Sequence, residues 1–235
     1  MPASPDPRQP DAALAWFSSL PGQGIVAAEQ DVLPDVVAPL PDLPWLWLGP
    51  GVGQPPVRRH RAVALHRAAS GWRGDVLCDG ALPIASECLG AVLVQHALDA
   101  DARLQPWLAE CARVLAPGGT LWIAALNPWS PFRGHWARTG LHARDPGHWQ
   151  AALVRAGFVR PAMHLHWMGP RWRSGHGEAG VGALDRLRAA FALSVVKRAT
   201  SPMRIRPARR LRLAPTRAGL PLAGRAIDPS LRKSR

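Results

Sequence analysis

The chain has 235 residues, 47% of them hydrophobic, with 29 Lys+Arg against 16 Asp+Glu for a formal net charge of +13. That length suggests one domain with room for an appendage, and the apolar fraction excludes global disorder. No apolar run approaches the ~20 residues that a membrane-crossing helix needs, so a membrane span is not expected. Cys78, Cys88 and Cys111 are odd in number and lack CxxC spacing. They argue against a disulfide scaffold or a zinc ribbon, and a reducing cytoplasm is the expected compartment.

Residues 1–10 are proline-rich, and the first thirty residues do not read as a secretory leader. Leu14, Trp16, Phe17, Leu20, Ile25, Val26, Val32, Leu33, Val36 and Val37 then recur at helical spacing. One or two short amphipathic helices are expected over 11–40, broken at Pro21-Gly22 and at Pro34. From residue 44 the pattern changes to short apolar runs. PWLWLG (44–49), AVAL (62–65), DVLC (75–78), AVLV (91–94) and LWIAAL (121–126) each read as a buried strand. The spacing of Leu104, Trp107, Leu108, Cys111, Val114 and Leu115 predicts a helix over 101–116, stopped by Pro117-Gly118-Gly119. A second helix is expected over 146–156, ending at Gly157. Strands at 158–168 and 191–196 follow, with a helical stretch near 181–190. Strands alternating with helices imply a parallel sheet, and two late strands close together imply an antiparallel edge.

The charge is unevenly placed. Residues 197–235 hold twelve Lys+Arg and one acid, for +11, whereas residues 1–196 are only +2. Three parts are therefore expected: an N-terminal extension (1–43), an α/β domain (44–196) and a basic, disordered tail (197–235). The tail has prolines but no Trp or Phe, so it suits weak contact with a polyanion such as RNA without base stacking. Because 27 of the 29 basic residues are Arg and Tyr is absent, part of the Arg excess reflects a general compositional skew.

Four segments carry the chemistry. Leu48-Gly49-Pro50-Gly51-Val52-Gly53 is a GxGxG string directly after a strand, where glycine lets the backbone turn sharply and approach a nucleoside. ALPIASECLGAVLVQHAL (81–98), CARVLAPGGTLWI (111–123) and HWQAALVRAGFV (148–159) follow. In this order and spacing they resemble class I S-adenosylmethionine-dependent methyltransferases of the small-domain type, over about residues 44–196. Arg113 to Gly119 is the strongest single match. The resemblance implies a Rossmann-like fold with a seven-stranded, mostly parallel sheet in the order 3-2-1-4-5-7-6, the seventh strand being antiparallel. It also implies S-adenosylmethionine as cofactor, held by Gly49, Gly51, Gly53, Cys78 and Asp79 with Leu82 beside the adenine. His96, just after the fourth strand, stands where the family often places acceptor-side residues, and a neutral imidazole there would accept a proton.

The chain departs from that pattern at its acids. Trp47 stands where the family usually has an acid two residues before the first glycine. The second strand ends in Leu65-His66-Arg67 where a carboxylate normally takes the ribose hydroxyls. Between Gly53 and Ala62 lie eight residues, QPPVRRHR, too few and too proline-rich for a normal helical crossover. Two readings stay open. One is a methyltransferase with an unidentified acceptor, monomeric and metal-free. The other is a catalytically silent binding or scaffold protein of the same fold. His164 and His166 share a strand face without acids or Cys at ligand spacing, so no metal site is expected. The aromatic segment 127–149 reads either as a substrate lid or as a cover for the sheet's end.

Overall fold

The computed structural model describes residues 11–38, 43–51, 62–68, 71–79, 81–160, 163–170 and 183–198. Contacts divide the chain into two units, 1–200 and 201–235; the second lies outside the described residues, as does Gly53.

Seven strands form one sheet: β1 (Trp45–Gly49), β2 (Ala62–Arg67), β3 (Trp72–Gly74), β4 (Leu89–Gln95), β5 (Leu115–Leu126), β6 (Met163–Met168) and β7 (Ala190–Val196). Their order is β3-β2-β1-β4-β5-β7-β6, as expected. β2, β1, β4 and β5 run parallel, and β7 is antiparallel to both β5 and β6. The central strands are apolar on both sides because both faces are covered. Leu46, Leu48, Val92, Val94, Leu121 and Ile123 face α3 (Gln105–Val114) and α4 (Pro146–Arg155). Trp45, Trp47, Ala91, Leu93 and Trp122 face the other way, against Leu33 and Val37 of α2 (Leu33–Val37).

Three expectations need correction. The third strand is Trp72–Gly74 rather than 75–78, and it is antiparallel to β2. Arg67 pairs directly with Trp72, and a parallel return over so short a link is not possible. The chain instead turns tightly at Gly71, whose φ of +76° only glycine takes easily, and Cys78 makes a single bridge back to Trp72. Pro21-Gly22 does not break a helix but starts one. Ser19 caps α1 (Leu20–Gln30) by accepting from the Gly22 N–H, and proline is tolerated in a first turn where N–H groups have no intrahelical partner. The first residues of the basic tail are part of the sheet's end. Lys197 exchanges backbone hydrogen bonds with Gly118 and Gly119, and its Nζ donates to the carbonyls of Ala112 and Leu115 at 2.8 Å. It thereby serves carbonyls that the end of α3 leaves open.

Candidate functional site

β1 ends at Gly49 and the chain turns at Gly51, with φ +92°. A Cβ placed on Gly51 would lie 3.6 Å from the Arg67 carbonyl, so the glycine turn passes beside the end of β2. A Cβ on Gly49 would lie 2.1 Å from the indole of Trp47. That glycine makes room for a neighbouring side chain of its own strand, two residues back on the same face.

Beyond the end of β2 lies a cleft of about 550 Å³, lined by Arg67, Ala81, Asp101, Arg103, Trp107 and Glu110 among others. Its volume falls in the range of small-molecule sites. It sits at the carboxyl side of the parallel strands, where open α/β sheets bind ligands. The Arg67 guanidinium is 5.3 Å from the Trp72 ring and 5.4 Å from the Trp107 ring. It pairs with Asp101 Oδ1 at 3.3 Å. Asp101 Oδ2 is enclosed and has no hydrogen-bond partner among the described residues. Burial lifts the Asp101 carboxyl above the ordinary carboxylate range, and Arg67 opposes that lift.

Among the described residues, none of the expected cofactor residues lines this cleft, though Leu82 directly follows the lining residue Ala81. Asp79 is mostly exposed and pairs with Arg73 at 3.0 Å. Cys78 is half-buried, its thiol raised by burial and by the charge of Asp79. Leu82 is buried in the core and held at both backbone groups. Its N–H donates to Glu110 Oε2, and its carbonyl accepts from Arg113. Arg113 clasps Glu110 through both carboxylate oxygens at 2.8 Å and also donates to the carbonyl of Ile84. The most legible motif in the chain therefore ties the 81–86 loop to α3.

His96 lies on the other side of β4's end and is fully buried, with a φ of +53°. Its Nδ1 bonds Asp99 Oδ2 at 2.8 Å and its Nε2 bonds Glu29 Oε1 at 2.6 Å. Phe17 stacks on the ring at 4.6 Å. Burial pulls the imidazole toward neutrality, but the charge of Glu29 and the two carboxylate hydrogen bonds outweigh it, and its pKa is pushed up to about 10. The chain of contacts continues from Glu29 Oε2 to Gln95 Nε2 and from Gln95 Oε1 to Trp47 Nε1. An imidazolium with both N–H groups engaged has no lone pair for a substrate proton, so the arrangement suits a brace for α1 rather than the acceptor-side base expected from the sequence.

The aromatic segment is core rather than lid: Phe132, Trp136 and Trp149 are buried, and Trp129 alone of its tryptophans is exposed, at 56%. Asn127 is spent on structure, donating to the carbonyls of Arg186 and Arg188. Among the described residues no three His, Cys, Asp or Glu side chains gather as a metal site, and no helix is long and apolar enough to cross a membrane. Asp101, Trp107 and Glu29 were not singled out as site residues from the sequence. Asp101 reads only as a helix start, and Glu29 is far from the motifs in the chain.

No protein-family model and no curated protein matches this sequence. Solved structures do match its fold. An S-adenosylmethionine-dependent methyltransferase of Thermotoga maritima aligns with a TM-score of 0.54 at 15% identity, over 78% of this chain and 94% of that one. One from Archaeoglobus fulgidus aligns with a TM-score of 0.50 at 10% identity, over 73% and 94%. A chain from a complex of the Haloferax volcanii Trm112 methyltransferase activator with a methyltransferase aligns at 0.50 and 15%, over 80% and 99%. At such identities the likeness is one of fold, and it agrees with the strand order. The chain has the class I S-adenosylmethionine-dependent methyltransferase fold.

Proposed function

We propose that the protein is an S-adenosylmethionine-dependent methyltransferase, with the adenosyl group taken into the cleft between the end of β2 and α3. The observation that carries this reading is the place of the cleft, beyond the carboxyl end of β2 and beside the Gly51 turn. Its residues fit the cofactor's parts. Trp107 and Ala81 offer an apolar wall for a base, and Arg67 and Arg103 suit a carboxylate. Gly49, Gly51, Gly53, Cys78, Asp79 and Leu82 remain the expected rim, with Leu82 acting through the fold of its loop. When bound, the cofactor supplies an activated sulfonium methyl for in-line displacement by an acceptor. The protein's task is alignment and exclusion of water. His96 keeps its proton and braces α1 against the end of β4, so any proton leaving the acceptor goes elsewhere. We take the protein to act as a cytoplasmic monomer.

A second reading, a binding protein of the same fold that has lost the cofactor, is favoured by one observation. Arg67, already paired and stacked, stands where the family has its ribose carboxylate. S-adenosylhomocysteine at a hundred times its Kd stabilises a folded protein by about 2.7 kcal/mol. For the first reading, a thermal-shift assay should then show a rise of roughly 5–10 °C. An unchanged Tm at millimolar ligand leaves the scaffold reading.

A further inference from the structure

β6 is the last strand in the sheet's order, and six consecutive residues, Met163 to Met168, pair with β7 without a bulge. Among the described residues none pairs with its other side. The strand, MHLHWM, holds no proline and no Lys, Arg, Asp or Glu. Edge strands are commonly guarded against further pairing by such residues or by a bulge. This edge has none of those guards and is open to another strand. Side chains alternate along it. Met163 and Leu165 pack toward the α3 and α4 side, whereas Met168 joins the core on the α2 side. His164 and His166 share the face of Met168, and both are exposed. Across from them on β7 stand Ser194 and Ala192, neither of which carries charge. Two imidazoles two residues apart stand ~6.6 Å apart along one face. They supply half of the four donors that a closed zinc site takes.

A second copy supplies the other half. Turned about a two-fold axis through Leu165, β6 meets itself antiparallel, with Leu165 opposite Leu165. Residues opposite one another in an antiparallel pair share a face, with Cβ atoms ~5 Å apart. His164 then faces His166 of the second copy, and His166 faces His164 of the second copy. Four imidazoles surround one point above the joined sheet, and the contact is isologous, as a closed dimer requires. We propose that His164 and His166 are half of a divalent transition-metal site that two copies complete by pairing their β6 strands. Four neutral imidazole nitrogens suit zinc, copper or nickel rather than magnesium or calcium. Without metal each copy keeps two donors only, and the protein stays single. β6 lies at the opposite end of the strand order from the cleft beyond β2, so the site is separate from the proposed cofactor site.

The test adds zinc chloride to the untagged full chain and follows mass by light scattering, stoichiometry by isothermal titration and backbone protection by hydrogen exchange. The mass should double, with one zinc per two chains, and EDTA should reverse it. Exchange in residues 163–168 should slow at least tenfold in the zinc form. His164→Ala/His166→Ala should stay single at the same zinc concentration with an unchanged Tm, since both side chains are exposed. His148→Ala, exposed elsewhere on the surface, should respond as wild type does. Zinc bound one per chain without association overturns the proposal, and so does association that persists in the double variant. Association without slowed exchange in 163–168 overturns the strand pairing. A wild-type chain that binds no zinc overturns the site without any variant, and leaves the methyltransferase reading untouched.

Discussion

At Gly49 the room for a methyl group is already taken. The Trp47 indole lies 2.1 Å from the position of a Cβ there, and the indole is itself fixed through Nε1 to Gln95. Gly49→Ala should therefore cost more than the 1–3 kcal/mol typical of overpacking. Trimming the indole in Trp47→Leu/Gly49→Ala should recover part of that loss, seen as non-additivity in urea denaturation. His96 makes a different kind of prediction. Its folded pKa of about 10 stands above the ordinary value of 6.5. The stability it contributes is then fully present below pH 6.5 and is lost as the pH rises toward 10. Denaturation midpoints of the wild-type protein should fall between pH 7 and 10, and the slope should be much shallower in His96→Gln. At neutral pH, removing the imidazolium leaves Glu29 and Asp99 buried together, which should cost roughly 3–5 kcal/mol. A variant as stable as wild type at pH 7 would show that the buried charges compensate otherwise.

At the scale of elements, the Arg113 motif shows why a strong sequence match need not mark a ligand. Its guanidinium satisfies Glu110 and the carbonyls of Leu82 and Ile84, and so fixes the loop that leads to the cleft. Arg113→Lys cannot reproduce that fork. It should lower stability by roughly 1–3 kcal/mol and raise hydrogen exchange in residues 81–86 more than elsewhere. Uniform exchange across the domain would count against the clasp. The elements themselves were readable where burial is two-sided or helical: β1, β4, the core of β5, β7 and α4 follow from apolar runs and from the stop at Gly157. β3 was missed because three residues of an edge hairpin carry no periodicity. The pairing of Trp72 with Arg67 is decided by a turn at Gly71. At the site, the glycine turn and the lack of an acid at the end of β2 were legible. The Arg67–Asp101 pair and the Glu29–His96–Asp99 brace were not, because each joins residues at least 34 positions apart or buries charge that periodicity cannot register.

For the molecule as a whole, the net charge separates from the fold only if the boundary is drawn in the right place. Composition puts it at residue 197, but Lys197 closes the end of α3 and pairs with the turn before β5's core. The physical boundary lies after residue 200. Residues 201–235 carry ten Lys+Arg and one acid, so removing them takes the formal charge from +13 to +4. A chain ending at residue 200 should melt within about a degree of the full chain. Its retention on a polyanion column at low salt should be largely lost, since each basic contact given up releases fewer counterions. A chain ending at residue 196 lacks the two carbonyl contacts of Lys197 as well. It should lose roughly 2 kcal/mol, or about 4–8 °C. Equal melting of the two shortened chains would remove Lys197 from the fold. Unchanged retention after cutting at 200 would place the polyanion affinity on the nearly neutral domain, where the exposed Arg103 at the mouth of the cleft is the first residue to substitute.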